Sequence, residues 1–332
     1  MSTQPQPPQP PKVDPHRHLG GAIVVDCVWD IIESRGYHYL AETRDDVHRA
    51  MTFAENEERD FYRFLNKFKI LDEIKWDLDL IDRSIKSVCD QLACEDVAYC
   101  WLDFSINKYM RIGWSKTEAI AYIHNCIARY RPGQVGLVLA LKYESLQTNQ
   151  RQYAALIDEP DIADMLIGID LVGDENQFDP EFYKPIFREW KSAGKMVRAH
   201  VGESQSADNV KSAILDLGVT NIAHGIKIYN DHELMQVAAD NDITFDTAIT
   251  SNYLTGVWTD PTFHPIVTML SHGLKVTLGS DDPVQCSTTL DMEYSEALRL
   301  GATVDDLYNM QETAYRNSQP FFDAMLASKI AN

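Results

Sequence analysis

The chain lacks the sequence features of several large protein classes. Its 332 residues include 30 lysines and arginines against 50 aspartates and glutamates, which gives a formal net charge of −20. Because binding to nucleic acids or anionic membranes depends on clustered basic residues, this balance argues against both kinds of partner. No apolar run is long enough to cross a bilayer, and no charged-then-apolar leader opens the chain. We therefore expect a cytoplasmic protein, and no oligomeric state is predicted.

The cysteines form no CxxC pair and no dense cluster, so we expect free thiols in a reducing compartment. No GxGxxG motif follows the first predicted strand, which argues against a dinucleotide site. Residues 1–11, rich in proline and glutamine, carry no hydrophobic pattern, and we expect them to be disordered. No linker-like stretch divides residues 12–332, where a single domain is predicted.

After residue 11 the sequence contains eight short runs of strand-forming residues, and amphipathic stretches separate them. Strands that alternate with helices predict a parallel sheet, and eight such units favour a closed (β/α)8 TIM barrel of the α/β class. A helical region from Val24 to about Leu92 adds extra helices between the first two strands. The runs are KVDPHRHL (12–19), VAYCWLDFS (97–105), VGLVLALKYE (135–144), MLIGIDLVGDE (165–175), KMVRAHVGE (195–203), NIAHGIKI (221–228), ITFDTAIT (243–250) and LKVTLGSDD (274–282).

Unusual polar residues lie where these predicted strands end. In a barrel the carboxyl ends of all strands share one face, and that face carries the active site. In an extended strand His16 and His18 point the same way, because side chains alternate. Taken singly, each polar residue has an ordinary explanation as a core or loop histidine, a turn aspartate or a first-turn acid. The strand-end residues are His16, His18, Gly173, Asp174, Glu175, His200, Glu203, His224, Asp281 and Asp282.

Together, imidazoles and carboxylates on one face predict a first-row metal site, and zinc fits best. A zinc-activated water would be the nucleophile of a metal-assisted hydrolysis. His224 would take the proton of that water or orient it, and Glu203 would carry a proton to the substrate. We expect one zinc ion, with one coordination position open for water, bound by His16, His18, His200 and Asp281.

Six motifs in this order, HxHL, GIDLVGDE, AHVGE, AHG, TSNYLTG and SDDP, together resemble the adenosine deaminase branch of the amidohydrolase barrels. The resemblance runs from about Lys12 to the C-terminus. It implies hydrolytic deamination at C6 of a small 6-aminopurine, with zinc on the four ligands named above. It further implies that Glu203 protonates purine N1, that His224 positions and activates the water, and that Asp282 hydrogen-bonds N7. The Gly173 backbone N–H would meet N3.

Two positions depart from the pattern of that family. The family typically reads HxHLDG, with the aspartate receiving the ribose 5′-hydroxyl, whereas this chain reads HRHLGG with Gly20 at that place. Gly20 either admits a larger, apolar or phosphorylated 5′ end, or it only fits a turn. In the second strand, WLDFSI replaces an EVRYSP-like run, so that Asp103 stands where a base is typical. The role of Asp103 is left open, and His264 receives no assignment.

Several functions stay open from the sequence. Deamination of adenosine or a close 6-aminopurine nucleoside is the leading hypothesis, and a 5′-modified adenosine or adenine is the first alternative substrate. A different amidohydrolase reaction on the same barrel, or a purine-binding module without turnover, are the others. The segment Phe61–Ile74 would form a lid if it lies beside the pocket mouth, since excluding water strengthens the electrostatics there.

Overall fold

Eight parallel strands form one barrel in the computed structural model of the chain, which describes residues 9–106, 109, 113–143 and 155–330. Neighbouring strands pair in chain order, and a bridge between Arg17 and Asp281 closes the ring. The predicted TIM barrel is confirmed, and every strand lies inside its predicted run. The strands are β1 (Val13–His18), β2 (Tyr99–Phe104), β3 (Val135–Lys142), β4 (Leu166–Val172), β5 (Met196–Val201), β6 (Asn221–His224), β7 (Thr244–Thr247) and β8 (Lys275–Leu278).

Helices occupy the connections between the strands and follow the last one. They are α1 (Leu19–Ala22), α2 (Val25–Arg35), α3 (Arg44–Met51), α4 (Phe61–Asn66), α5 (Lys69–Glu73), α6 (Leu78–Cys94), α7 (Lys116–Tyr130), α8 (Pro160–Ala163), α9 (Pro180–Ser192), α10 (Ala207–Ser212), α11 (His232–Asp240), α12 (Ile249–Leu254), α13 (Pro265–Ser271), α14 (Pro283–Cys286), α15 (Leu290–Arg299) and α16 (Val304–Ile330). Short 3₁₀ segments span Ala155–Asp158, Glu175–Gln177 and Ile226–Asn230, and a π turn spans Ala213–Leu217.

The extra helices between β1 and β2 are confirmed, but capping residues divide the predicted region into five helices, α2 to α6. Gly36, with φ of 69°, ends α2 in the left-handed conformation that glycine adopts freely. Thr43 begins α3 through a capping box with Asp46. Asp60 and Asp77 accept the first free backbone N–H groups of α4 and α6. Hydrophobic periodicity alone does not reveal these breaks.

The amino end of the barrel is covered by α16. Phe322 of that helix is fully buried against Trp101, Val138 and Met196, which forms a core cluster separate from the main one. The carboxyl end, where the predicted site residues lie, is not covered by this helix.

Three further sequence predictions concern the cysteines, membrane-spanning helices and the N-terminal tail. All six cysteines are unpaired, and no helix among the described residues is both long and apolar enough to cross a membrane. Residues 1–8 of the predicted disordered tail lie outside the described residues. Residues 9–11 form neither helix nor strand, and Pro10 is buried. The division into a tail and a single domain stays a prediction.

Candidate active site

The junction between β8 and β1 brings three candidate ligands together at the carboxyl end of the barrel. The Asp281 N–H donates to the His16 carbonyl over 2.7 Å, and the His18 N–H donates to the Asp281 carbonyl over 2.8 Å. Gly279 permits this approach, because a Cβ atom there would lie 2.4 Å from the Cβ of His16. The backbone itself thus holds Asp281 beside both histidines of β1.

Donor atoms of five side chains converge above this junction. One donor each from His16, His200, His224 and Asp281 lies within 4.8 Å of the other three. The Nε2 atoms of His16 and His200 are 3.0 Å apart, and Asp281 Oδ1 is 3.6 Å from His16 Nε2. His18 reaches the same group, since its Nε2 lies 3.3 Å from that of His200 and 3.2 Å from Asp281 Oδ1. The four candidate ligands and His224 therefore share one small volume.

Hydrogen bonds behind two imidazoles leave their inner nitrogens without a proton. His16 Nδ1–H donates to the Asp246 carbonyl over 3.1 Å, and His200 Nδ1–H donates to Asp170 Oδ1 over 3.1 Å. Burial lowers the pKa of His16, which favours its neutral ring. In a neutral imidazole with a protonated Nδ1, Nε2 is an acceptor.

These acceptors fit a metal ion. The Nε2 atoms of His16 and His200, 3.0 Å apart, are close enough to bind one cation between them. Ligand atoms that lie about 2.0–2.2 Å from a tetrahedral ion are separated by roughly 3.3–3.6 Å, which is close to the spacings of this cluster. Three imidazoles and a carboxylate are also donors that first-row metals prefer. The donor set can therefore hold a metal ion.

Arg198, fully buried inside the barrel, joins the hydrogen bonds behind the ligands. Its Nε donates to Asp170 Oδ2 over 2.6 Å and its Nη1 to Asp246 Oδ2 over 3.3 Å, while its Nη2 donates to Asp103. Burial alone would raise the pKa of Asp170, but the charge of Arg198 keeps that pKa below its usual value. Asp103 on β2, which stands where the family typically has a base, thus forms an ion pair with Arg198 on β5. This pairing gives Asp103 the structural role that the sequence left open.

Glu203 lies in the loop after β5, and a second glutamate holds that loop. The buried carboxylate of Glu175 accepts hydrogen bonds from the backbone N–H groups of Gly202 (2.5 Å), Glu203 (3.2 Å) and Ser204 (3.0 Å). Gly202 has φ of 64°, a conformation that favours glycine in this tight turn. The turn directs Glu203 to the donor cluster, where its Oε2 lies 3.7 Å from His224 Nε2.

A chain of four hydrogen bonding groups sets the tautomer of His224. The Ile266 N–H can only donate, and it donates to His264 Nδ1 over 3.3 Å. Burial lowers the pKa of His264 to about 3, so the neutral ring donates from Nε2 to Asn252 Oδ1 over 3.2 Å. The Asn252 amide then donates to His224 Nδ1 over 3.1 Å. His224 consequently presents an Nε2–H group to the cluster.

Burial and the charge of Asp281 shift the pKa values of the two acids Glu203 and Asp282 upward, whereas burial shifts that of His224 downward. Burial, followed by the nearby charge of Asp281, raises the pKa of Glu203 well above its usual value. The same two causes raise the pKa of Asp282 to about 8. Burial lowers the pKa of His224 to about 3. Groups whose pKa values are pushed apart in one pocket are typical of acid–base sites.

The two glycines after β1 differ in what surrounds them. A Cβ atom at Gly21 would lie 1.8 Å from Asp282 Oδ1, so Gly21 is needed for the close approach of that acid. A Cβ atom at Gly20 would meet only the ring of Phe68, at 3.9 Å. Gly20 thus has space for a side chain directly after β1. Gly173, with φ of 106°, directly follows β4 at the same end of the barrel.

The segment Phe61–Ile74 lies at the mouth of the barrel. Phe64 is buried in a small apolar cluster with Phe53 and Cys286, against which Phe68 packs. Cys286 belongs to α14, which directly follows Asp282. The position agrees with the lid hypothesis, and the closing motion stays a prediction.

Five residues for which the sequence predicts no role support this site. Asp170 and Asp246 orient two ligands, Asn252 and His264 orient His224, and Glu175 orients the loop of Glu203. For the two aspartates a signal exists, since each is a charged residue inside an otherwise buried strand, LIGIDLV or TFDT. Asn252 and His264 become visible only through their contacts, and Glu175, already one of the strand-end acids, receives its role there.

The closed barrel and the buried histidine–aspartate cluster at its carboxyl end define a metal-dependent hydrolase of the (β/α)8 class. A family model described as adenosine deaminase matches residues 11–331, and the chain belongs to the adenosine deaminase family. An adenosine deaminase from Shewanella loihica is 27% identical over 290 residues, which cover 86% of each chain. Membership makes the chain a hydrolase that deaminates adenosine-like purines.

Two solved structures share the fold at low sequence identity. The crystal structure of adenine deaminase from Arthrobacter aurescens has a TM-score of 0.80 at 18% identity, and the match covers 96% of this chain and 98% of that one. An amidohydrolase from Burkholderia ambifaria with bound zinc has a TM-score of 0.79 at 23% identity, and the match covers 97% of this chain and 93% of that one.

Proposed function

We propose that the chain removes the 6-amino group of adenosine, or of a close 6-aminopurine nucleoside, by zinc-dependent hydrolysis. The observation that carries this proposal is the buried donor cluster with Glu203 beside it, 3.7 Å from His224. When bound, zinc supplies Lewis-acid activation of the water nucleophile. One zinc ion would be bound by His16, His18, His200 and Asp281, and an amidohydrolase of the same fold carries zinc.

Glu203 acts as the acid of this reaction. Burial and the nearby charge of Asp281 raise the pKa of Glu203, which favours the protonated carboxyl group, and that proton is donated to purine N1. Protonation of N1 makes C6 more electrophilic. The water oxygen adds to C6, and one of its protons returns to the Glu203 carboxylate while the other passes to the amino group. The C6–N bond then breaks and ammonia leaves, so that a 6-oxopurine protonated at N1 remains.

His224 orients the water rather than removing its proton. An Nε2–H group, set by the chain through Asn252 and His264, donates a hydrogen bond to the water oxygen. A low pKa is consistent with a ring that remains neutral throughout this role. The structure therefore supports the second of the two roles that the sequence left open for His224.

Asp282 and Gly173 would read the purine ring. Purine N7 and N3 are both acceptors, so each requires a donor. With a pKa of about 8, Asp282 carries a proton at neutral pH, and its Oδ1 has no hydrogen bonding partner among the described residues. The protonated acid can donate to N7, and the Gly173 N–H can donate to N3.

A 5′-modified adenosine is the second candidate substrate, because of the space at Gly20. A side chain there would meet only Phe68, so no acceptor at this position holds a 5′-hydroxyl. An apolar 5′ group, such as a thioether, would contact the ring of Phe68 instead. Adenosine remains the first candidate, since a curated relative that covers most of the chain is an adenosine deaminase.

The test measures ammonia release by zinc-loaded protein from adenosine, 2′-deoxyadenosine, methylthioadenosine, AMP and adenine. Efficient turnover of adenosine supports an ordinary nucleoside deaminase in which Gly20 is a turn residue. Poor turnover of adenosine with efficient turnover of methylthioadenosine or AMP supports the opened 5′ site. Binding of these purines without any ammonia release would contradict the proposed reaction.

A further inference from the structure

A second cavity opens at the amino end of the barrel, on the face opposite the candidate active site. Its volume is about 430 Å³, which is enough for a metabolite-sized ligand. The first residues of β5, β6, β7 and β8 all line it, and α16 forms another side through Asn317 and Phe321. None of the residues assigned to deamination takes part in this cavity.

The lining of this cavity is basic, although the whole chain carries a net charge of −20. Lys191, Lys195, Lys275 and Arg316 line it, together with one acid, Asp242. Lys275 pairs with Asp242 over 2.5 Å, which uses the single negative charge of the lining. A positive patch in an acidic molecule attracts anions locally and is not explained by overall composition.

Two of these lysines are held by carbonyl groups instead of carboxylates. Lys191 Nζ donates to the Gly218 carbonyl over 2.7 Å, and Lys195 Nζ donates to the Leu166 carbonyl over 2.9 Å. Within the part of the chain that the structure describes, neither lysine has a carboxylate within ion-pair distance. Burial lowers the pKa of Lys195 despite the opposing charge of Asp164, which lies beyond ion-pair distance, so its ammonium loses hydration without a direct ion pair. An anionic ligand would form that ion pair.

An indole in the same lining provides an independent observation. Trp101 is 1% exposed, and its Nε1–H has no hydrogen bonding partner among the described residues. A buried donor without a partner is uncommon and often indicates a ligand or water. The cavity thus combines positioned ammonium groups with an unused N–H donor.

We propose that this cavity is a binding site for a small phosphate ester, held chiefly by Lys191 and Lys195. A phosphate dianion matches two ammonium groups in charge, and lysine binds phosphate as a point charge. The volume exceeds what inorganic phosphate alone requires, so the remainder of the ester occupies the space beside Trp101 and Phe321. The proposal does not depend on the deaminase assignment.

Pyridoxal 5′-phosphate is the probe that tests this site. Its aldehyde forms an imine with an unprotonated lysine amine and releases water; borohydride then reduces the imine, and peptide mass spectrometry locates the label. We expect labelling at Lys191 or Lys195 at least 10-fold above that at the control residues Lys86 and Lys184, whose side chains are 53% and 45% exposed. Pyridoxal without phosphate should lose this preference, and inorganic phosphate should protect both lysines.

Substitution provides the second arm of the test. Lys191→Met and Lys195→Met keep the apolar stem and remove the charge. Inorganic phosphate should raise the Tm of the native protein by more than that of the double variant, while turnover by the two proteins remains equal. Equal labelling of all four lysines, or an equal phosphate-induced shift in both proteins, would overturn the proposal.

Discussion

Two layers of charge lie one above the other inside the barrel, and they differ in how their acids are paired. In the lower layer Asp103, Asp170 and Asp246 all contact the guanidinium of Arg198. Asp246 also accepts hydrogen bonds from the Thr277 hydroxyl and from a side-chain amide. This layer forms a fixed base, because a buried charge that is paired and hydrogen-bonded resists displacement.

The upper layer brings acids together beside imidazoles, without a guanidinium that they share. Glu203, Asp281 and Asp282 are buried, and no lysine or arginine of the described chain lies within ion-pair distance of them. Burying an unpaired charge is costly, so these groups shift their pKa values or require a cation. The comparison teaches that reactivity resides where the pairing is incomplete. The lower layer should therefore serve stability and the upper layer chemistry.

Glu203→Gln should have the largest effect, and it should act on chemistry alone. Glutamine has the shape and charge of a protonated glutamic acid, so the fold and the metal site should be retained. Loss of the acid should lower kcat by about 10²–10⁴-fold. The measurements are ammonia release, metal content and Tm. Glu181→Gln, at an exposed acid, is the control. A variant that retains most of its turnover would remove Glu203 from the proposed role.

Arg198→Met should show the opposite pattern, with loss of stability first. Three buried acids lose their common partner, and breaking a buried ion pair costs about 3–5 kcal/mol. Chemical denaturation measures the change. The matched control is Arg129→Met, because Arg129 pairs with Asp82 at the surface and should contribute less than about 1 kcal/mol. Similar losses in both variants would mean that the lower layer is not the stabilising element inferred here.

Asn252→Asp tests the connection that sets the tautomer of His224. The carboxylate keeps the size of the amide but can only accept a hydrogen bond, so the ring proton of His224 moves to Nδ1 and Nε2 no longer donates to the water. Loss of such outer partners typically costs about 10–100-fold in activity. The effect should appear in kcat while the metal content remains unchanged. Asn241→Asp, at an exposed amide that donates to the Val237 carbonyl, should leave kcat unaltered.

Gly20→Asp should have the smallest effect and should change selectivity rather than turnover. The position has room for a side chain, with only Phe68 at 3.9 Å from the new Cβ atom. A carboxylate there should favour adenosine over methylthioadenosine by about 10-fold in kcat/KM, because it adds one charged hydrogen bond. Gly20→Ala fills the same space without an acceptor and is the control. An unchanged ratio in the aspartate variant would place the 5′ group elsewhere.

Local sequence patterns were sufficient to predict the barrel and to identify the residues of the upper layer. Each strand combines a short buried run with polar residues at its end, and parallel strands in a barrel present those ends on one face. His16, His200 and Asp281 could therefore be grouped although they are far apart in the chain. The structure brings these residues within 4.8 Å of one another and of His224.

For the lower layer the sequence shows charged residues inside buried strands, but it does not show how they pair. Asp103 and Arg198 lie 95 positions apart, and each is separately an ordinary charged residue within an apolar run. Only barrel closure reveals that the two point at each other across the interior. His264 is similar, because its role depends on Asn252 and on the backbone of Ile266. The breaks among the helices after β1 arise from caps that periodicity does not register.

The spacing of hydrophobic residues and the residue types at strand ends are local properties of the sequence. The sequence by itself therefore determined the architecture, the family resemblance and the residue types of the candidate metal site. Protonation states, tautomers and the pairing of Asp103 were decided by the tertiary structure. These depend on burial and on distances between groups that are remote in sequence, and electrostatic interactions in a low-dielectric interior change steeply with both. The open space at Gly20 and the basic cavity at the opposite end follow from the same packing.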